Sequence, residues 1–319
     1  MIWARGPQFF WKTMNTEPLT TTLLQAISEV RATVDTNALI AALERNDHAA
    51  ALALLGITGH RFPALEAVLG NHFAELLTAA YERSAHSSRA TSLEPEQIAA
   101  SQTLRRSITS EVTASIAQGT TTALDAVMRL NAPAETKALT LTQALGLSER
   151  QARSLVEFAN CLTTTLRTGN AVKIQTAPRA GLMPSQTRFL NASQRSTVQK
   201  ALRDRLTPDD AKRLIERQAA TLAKHRAQTT AEFQLARTQE QAKHDTIKRL
   251  QDAGTVRRYW TDAGDERVRA NHKAVSTLNP AGVSVDQPFK TAFGPVMIPP
   301  LEPGCRCRVV YERADGSRP

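Results

Sequence analysis

The chain has 319 residues, of which 41% are hydrophobic and 5% aromatic, and it carries a formal net charge of +10. This length can bury one large core or two moderate ones, and the composition is typical of a helix-rich globular protein. No apolar run approaches the roughly 18 residues that a membrane span requires, so we expect no membrane partner. Three cysteines are too few for a disulfide framework and indicate a reducing compartment.

The N-terminal part is predicted to be a short tail followed by helices. Residues 1–15 form a flexible tail with no apolar segment long enough for a signal peptide, and Met14 is a candidate physiological start. Residues 16–135 form an N-terminal helical region, because apolar residues recur there at helical spacing. Within it, Asp35 is expected to cap a helix and Pro95 to open a long one.

Residues 136–253 are predicted to be a central helical region with long basic helices. Ser148 and Gln151 have the spacing of a capping box. Thr207 is a candidate N-cap, followed by proline at the first helical position and acids in the first turn. From there to about residue 250 the sequence allows one helix of about 60 Å, or two helices separated near Thr229–Thr230.

The positive charge is concentrated in one segment. Residues 188–258 contain 16 Lys and Arg against 8 Asp and Glu. Such an excess favours an acidic partner such as nucleic acid, and it is equally compatible with a solvated helical face.

Residues 254–319 are predicted to be a small α+β module, because the sequence changes character at Gly254. The run "TVRRYWT" indicates a strand, "GDERVRANHKAV" a short helix, and "CRCRVVYE" a closing strand. On that helix Asp265, Arg269 and His272 would share a face, and Asp265 would pair with Arg269. The predicted fold class is therefore mainly α, with a long helical body followed by a small C-terminal α+β module.

Cys305 and Cys307 are expected to point to the same face of the closing strand. Their Cα atoms would be about 6.6 Å apart, which is unfavourable for a disulfide. Together with His272 they could hold one structural zinc ion. The alternative is that the three side chains simply pack the core of the module.

Two enzymatic interpretations of the same residues have weaker support in the sequence. A Cys–His dyad would need an oxyanion hole, for which the flanking residues give no signature. A metal-dependent nuclease would need converging carboxylates, and only Asp262, Asp265 and Glu266 cluster locally. We therefore assign no catalytic residue and expect that the protein is not an enzyme.

The C-terminal third carries an ordered series of motifs that resembles one family of phage proteins. The segment "RRYWTDAGDERVRANHKAV" is followed by "VDQPF" and "PPLEPGCRCRVVY". This order resembles the Mu F-like family of phage minor head proteins. Together with "GLSERQARSL" at residues 146–155, which resembles a helix of the longer members, the resemblance covers about residues 146–312. The matching positions are Trp260, Asp265, Arg267, Val268, Arg269, His272, Cys305, Arg306 and Cys307.

The resemblance implies a few-copy head morphogenesis protein of a phage or prophage. It would lie in the virion interior or at the portal vertex, and in the bacterial cytoplasm during assembly. Its partners would be the portal and other capsid proteins, and double-stranded DNA without sequence preference. The chain departs from the family where Gln239 replaces an expected glutamate after Arg237 and Thr238.

Within this interpretation the basic segment has two candidate roles. It could contact DNA phosphates, or its long helices could dock on portal or scaffold protein while the charge favours solubility. The predicted phosphate contacts are Arg195, Lys200, Arg203, Arg213, Lys224, Lys248, Arg249, Arg257 and Arg258. The alternative function is a metal-dependent hydrolase or toxin-like enzyme centred on His272, Cys305 and Cys307.

Overall fold

The computed structural model describes residues 16–58, 62–87, 95–168, 190–203, 206–250 and 255–313. Over these residues the chain forms ten α-helices and five short β-strands, and all the strands follow the longest helix. The predicted fold class is therefore confirmed. The predicted tail at residues 1–15 lies outside the described residues.

The elements follow one another along the chain in this order. The helices are α1 (Glu17–Ala32), α2 (Thr36–Glu44), α3 (His48–Leu54), α4 (Pro63–Ser87), α5 (Pro95–Met128), α6 (Ala134–Ala144), α7 (Glu149–Thr168), α8 (Ala192–Arg203), α9 (Pro208–Leu250) and α10 (Ala270–Leu278). The strands are β1 (Val256–Thr261), β2 (Val283–Ser284), β3 (Phe289–Thr291), β4 (Gly294–Val296) and β5 (Arg308–Arg313). In the described part of the chain, no helix combines the length and the apolarity needed to cross a bilayer.

The predicted helix starts are present, and side chains satisfy their free N–H groups. Oδ1 of Asp35 accepts a hydrogen bond of 3.0 Å from an N–H in the first turn of α2. At α7, the N–H of Ser148 donates to Oε1 of Gln151 at 3.2 Å, and the N–H of Gln151 donates to the Ser148 hydroxyl at 3.4 Å. Thr207 and Asp210 form the same reciprocal pair at the start of α9, with both bonds at 3.2 Å. Polar residues before helical runs thus fix these boundaries.

Helix α9 is continuous over its 43 residues and about 65 Å long. The possible break at Thr229–Thr230 does not occur. Four alanines at intervals of four residues, Ala219, Ala223, Ala227 and Ala231, are buried along one side, and they continue across that point. This uninterrupted stripe of small residues keeps α9 helical, since alanine has the highest helix propensity.

The contacts divide the chain into two compact units. Unit 1 contains the described residues of Met1–Thr20, Gly70–Thr109 and Gln228–Pro319, and unit 2 those of Thr21–Leu69 and Ser110–Ala227. The C-terminal strands therefore share unit 1 with the second half of α9. The boundaries predicted at residues 135 and 253 stay predictions.

In unit 2, α1 and α5 approach the turn between α6 and α7 very closely. Nη2 of Arg31 donates to the carbonyls of Gln143 and Leu145 at 2.8 and 2.6 Å, which satisfies free groups at the C-terminal end of α6. Gly146 has a φ of +85°, and a Cβ there would lie 2.5 Å from a methyl carbon of Ile27. Only glycine fits such a turn without strain.

In unit 1, the strands form a three-stranded sheet and a separate hairpin. The sheet has the order β2-β1-β5 with antiparallel pairing, and Trp260 lies opposite Val309. Strands β3 and β4 form the hairpin, in which Phe289 lies opposite Val296. The core of this unit includes Ile247 of α9, which packs with residues of the sheet, α10 and the segment before β5.

Candidate functional site

Residues 265–268 form a turn, so the short helix begins later than the sequence predicts. Oδ1 of Asp265 accepts a hydrogen bond of 3.1 Å from the N–H of Arg267, and α10 starts only at Ala270. This local bond gives the backbone an alternative to the helix. The predicted Asp265–Arg269 ion pair is therefore wrong. Asp265 pairs instead with Arg306 at 2.6 Å and with Arg267 at 3.3 Å.

The carboxylate of Asp265 lies on the surface of the module and holds Arg306. The hydrogen bond from Arg306, reinforced by the one from Arg267, lowers the pKa of Asp265 to about 2. Asp265 is therefore ionised across the physiological range, and Arg306 points outward between the two buried cysteines. This contact ties the turn before α10 to the segment before β5.

His272 lies on α10 with only 2% of its surface exposed. Its Nε2 lies 3.0 Å from Oε1 of Glu302, and its Nδ1 lies 3.6 Å from Sγ of Cys307. A carboxylate can only accept, so Glu302 favours the tautomer with the proton on Nε2. The lone pair on Nδ1 then faces the cysteines. Arg269 pairs with the same oxygen of Glu302 at 3.1 Å and helps to hold it.

The two cysteines lie immediately before the closing strand. The predicted strand is shorter than expected, because β5 begins at Arg308. The N–H of Cys305 donates to the carbonyl of Glu302 at 2.9 Å, which closes a turn. Both cysteines are free and buried. Their sulfur atoms and an imidazole nitrogen of His272 all lie within 4.8 Å of one another, so the structure brings the three predicted metal ligands together.

The two thiols interact directly, and their pKa values move apart. The hydrogen bond from the Cys307 thiol lowers the pKa of Cys305 to about 5, against the opposing effect of burial. Backbone N–H groups of Cys307 and Leu301 act in the same direction as that bond. The pKa of Cys307 is raised, first because its S–H is held by Cys305 and second because it is buried. Of the two thiols, Cys305 is therefore the more acidic.

Trp260 of β1 lies near the sulfur atom of Cys307. Its ring packs edge-on against Phe289, with the centroids 5.2 Å apart. The indole N–H is buried and makes no hydrogen bond of normal geometry in the described structure. It nevertheless acts on the thiol of Cys307 and opposes the rise in the pKa of that group. A buried donor of this kind is unusual and suits a nearby anionic sulfur.

A small cavity of about 10 Å³ adjoins His272 and both cysteines. It has room for about one water molecule. The side chains of Cys307, His272 and Glu302 contact one another in that order, as a nucleophile, a base and an orienting carboxylate do in a catalytic triad. Both cysteines are buried, however, and a cavity of this size admits no substrate to the sulfur atoms. The geometry therefore suits a metal ion or core packing better than nucleophilic catalysis.

Arg258 is the clearest correction to the predicted DNA-binding set. Arg258 is fully buried, with 0% of its surface exposed. The guanidinium donates to the carbonyls of Ser284 at 3.1 Å and Met297 at 2.7 Å, and also to that of Gln287. It also lies over the ring of Phe289, 5.0 Å from the centroid. A guanidinium enclosed in this way cannot reach a phosphate, and its role is to hold the loops around β1.

The other predicted phosphate contacts are placed differently. The exposed ones are Lys200, Arg213, Lys224, Lys248 and Arg257. Arg195 and Arg249 are half-buried, and the side chain of Arg203 lies outside the described residues. Two of the exposed residues form surface ion pairs, Arg213 with Asp210 and Lys248 with Asp286, both at 2.6 Å. Such pairs are weak and exchange readily, so DNA contact by the exposed residues stays a prediction.

The sequence reasoning missed three side chains that support this module. Oε2 of Glu240 on α9 accepts a hydrogen bond of 3.1 Å from the N–H of Val309, where β5 begins. His244, also on α9, contacts the buried Arg258 and the hydroxyl of Tyr311 at 3.4 and 3.3 Å. The third is Glu302. Glu240 directly follows Gln239, where the family pattern expects glutamate. This displacement of a glutamate by one position could have indicated Glu240 as a residue that supports the module.

Comparison with known proteins identifies one family in this part of the chain. Residues 190–310 match the family described as Phage Mu protein F like protein. The matched segment includes α8 to α10, β1 to β4, the first half of β5 and the His272 cluster, and it covers well under half of the chain. Comparisons with curated proteins and with solved structures found no match. The predicted resemblance is thereby confirmed over residues 190–310.

Proposed function

We propose that the chain is a phage head morphogenesis protein that acts at or near the portal during head assembly and DNA packaging, because residues 190–310 match the family described as Phage Mu protein F like protein. The family match carries this proposal. The expected partners are capsid proteins, the portal among them. The basic helices would contact DNA without reading its sequence.

The first half of α9 supports the DNA contact. Arg213, Arg217 and Lys224 are all exposed there. At 100° per residue these positions fall within about 40° of one another around the helix, and they span about 16 Å along it. Among the described residues, no acidic side chain pairs with Arg217 or Lys224. A straight row of cations of this length matches the backbone of duplex DNA, which carries a charge every 1.7 Å or so.

The DNA contact is tested by the salt dependence of binding. Removing a single phosphate contact should reduce the slope of log K against log salt by about 0.9. The double variant Arg217→Ala/Lys224→Ala should therefore flatten the slope by about two units. The matched control is Arg45→Ala/Arg129→Ala, which removes two exposed arginines of unit 2 that directly follow α2 and α5. Equal slopes for the two double variants would contradict a contact through α9.

The portal contact is tested separately by sedimentation. Purified protein should co-sediment with portal rings or procapsids after nuclease treatment has removed all DNA. Both double variants should still do so if docking and DNA contact use different residues. Failure of the parent protein to co-sediment under these conditions would contradict the portal role and leave the DNA test unaffected.

The runner-up is the metal-dependent hydrolase or toxin-like enzyme. The observation in favour of this enzyme is that the side chain of His272 contacts both Cys307, at 3.6 Å, and Glu302, at 3.0 Å. An enzyme of this kind should cleave plain DNA or a generic ester, and Glu302→Gln should slow it. Cleavage by the parent protein that is absent in this variant would replace the assembly role with a catalytic one.

A further inference from the structure

We propose that Nδ1 of His272 and the sulfur atoms of Cys305 and Cys307 bind one zinc ion that clips α10 to the segment before β5. This site is independent of the proposed role in head assembly, since it rests on the geometry of the module alone.

The spacing of the three ligand atoms fits a tetrahedral ion. Zn–S and Zn–N bonds of about 2.3 and 2.0 Å place neighbouring ligand atoms about 3.5–3.8 Å apart. The Nδ1–Sγ distance between His272 and Cys307 is already 3.6 Å, and the whole set lies within 4.8 Å. Closing the site around an ion therefore needs only small side-chain rotations.

The groups behind the ligands are those that zinc sites use. Glu302 accepts from Nε2 of His272, which leaves Nδ1 free to bind metal and fixes the orientation of the ring. Backbone N–H groups of Cys307 and Leu301 act on the sulfur of Cys305. The buried indole N–H of Trp260 has no conventional partner and lies by Cys307. A metal-bound thiolate at Cys307 would accept from it and so remove an unsatisfied buried donor.

Ligand chemistry selects zinc over other divalent ions. Two thiolates and one imidazole suit zinc, whereas calcium and magnesium require oxygen ligands. Among the described residues, no further histidine, cysteine or carboxylate joins these three side chains as a fourth ligand. The cavity beside them has room for about one water molecule, which would complete the tetrahedral site as the fourth ligand. The ion would link His272 to Cys305 and Cys307, which are separated from it in sequence by the hairpin formed by β3 and β4.

Metal content tests the site directly on the full chain. Protein purified under reducing conditions and equilibrated with excess zinc, then desalted, should contain about one zinc per chain by mass spectrometry. The variants His272→Ala, Cys305→Ser and Cys307→Ser should contain almost none. Cys161→Ser is the matched control, because it removes a buried cysteine outside the cluster and should retain the metal. Folded parent protein without zinc would overturn the proposal.

Two further measurements separate removal of a ligand from misfolding. His272→Cys replaces nitrogen by sulfur and should keep the zinc that His272→Ala loses. Cobalt bound to the parent protein should give the intense visible and near-ultraviolet absorption of a tetrahedral site with thiolate ligands. Weak absorption typical of an octahedral oxygen site, or a disulfide between Cys305 and Cys307 in the reduced preparation, would also overturn the proposal.

Discussion

Arg257 and Arg258 show how one residue step decides the role of a charged side chain. Both lie on β1, where Val256, Arg258 and Trp260 face the core and Arg257 faces outward. Side chains alternate across a strand, so the face shared with Trp260 is the signal for the burial of Arg258. Three backbone carbonyls surround its guanidinium in place of water. One of these arginines is available to a partner, and the other holds the module together.

The substitution Arg258→Met should destabilise the protein strongly, because the carbonyls of Ser284, Gln287 and Met297 lose the hydrogen bonds that the buried guanidinium donates. We expect a decrease of about 3 kcal/mol or more in the free energy of unfolding. The neighbouring substitution Arg257→Met is the control and should change stability by less than about 0.5 kcal/mol. Urea unfolding followed by circular dichroism measures both, and equal effects would contradict the assigned burial.

His244 should make stability depend on pH. Burial, followed by the positive charges of Arg258 and Lys248, lowers its pKa from 6.5 to about 4, with Asp286 opposing them weakly. Between these values the unfolded chain binds a proton that the folded chain does not. The contribution of His244 to the free energy of unfolding is therefore about zero above pH 6.5. It becomes increasingly destabilising as the pH falls from 6.5 to 4, and it is constant below pH 4. At pH 5 the penalty is about 2 kcal/mol.

The variant His244→Gln, which keeps an acceptor for Tyr311 but does not titrate, tests this dependence. The stability gap between parent and variant should shift by about 2 kcal/mol in favour of the variant when the pH is lowered from 7 to 5. His48→Gln, at an exposed position, is the control. Parallel pH profiles for the parent protein and the His244 variant would show that the histidine titrates normally.

At the scale of elements, close approaches between helices and turns define unit 2. Helix α5 passes so near the α6–α7 turn that a Cβ at Gly119 would lie 2.1 Å from the carbonyl oxygen of Leu147. A side chain there must displace backbone, because no flexible atom can give way. Gly70 on α4, by contrast, has open space where a Cβ would be. The two helical glycines therefore have different reasons for being present.

The same substitution should have opposite signs at these two glycines. Gly119→Ala should destabilise the protein by about 2–3 kcal/mol through overpacking. Gly70→Ala should stabilise it by about 0.5–1 kcal/mol, because alanine has the higher helix propensity and meets no neighbour. Thermal unfolding of the two variants is sufficient to measure this, and a stabilised Gly119→Ala variant would contradict the close approach.

At the scale of the whole molecule, the C-terminal module depends on α9. Glu240 accepts from the backbone of Val309, and Nζ of Lys243 donates to the carbonyl of the same residue at 3.3 Å. Ile247 is part of the core that contains both cysteines of the cluster. Without the second half of α9, one side of the hydrophobic core beneath the strands would therefore be exposed to solvent. This explains why contacts place residues from 228 onward in one unit.

A fragment of residues 254–319 should accordingly fail to fold alone, even with zinc. Its amide spectrum should be poorly dispersed, since neither the side chains of α9 nor their hydrogen bonds are present. The intact chain provides the reference spectrum for the same residues. A well-dispersed spectrum from the fragment would instead support the domain boundary predicted at residue 253.

The sequence by itself determined the features that depend on neighbours along the chain. Helix periodicity, the caps at Asp35, Ser148 and Thr207, and the family motif around His272 are all local patterns, and local hydrogen bonding and propensity are enough to fix them. The three candidate zinc ligands could also be proposed from the sequence, because few residue types bind zinc. The Asp265–Arg269 pair failed, since a side-chain turn stopped the helix that would have formed it.

Only the tertiary structure decided what depends on residues far apart in sequence. Glu302 reaches His272 across 30 positions, and Glu240 reaches Val309 across 69. Burial of Arg258 requires the carbonyl of Ser284 in β2 and that of Met297, which directly follows β4. Such contacts follow from how strands and helices close around a core, and no spacing along the chain encodes them. Residue type thus predicts which groups can act, and packing decides which of them meet.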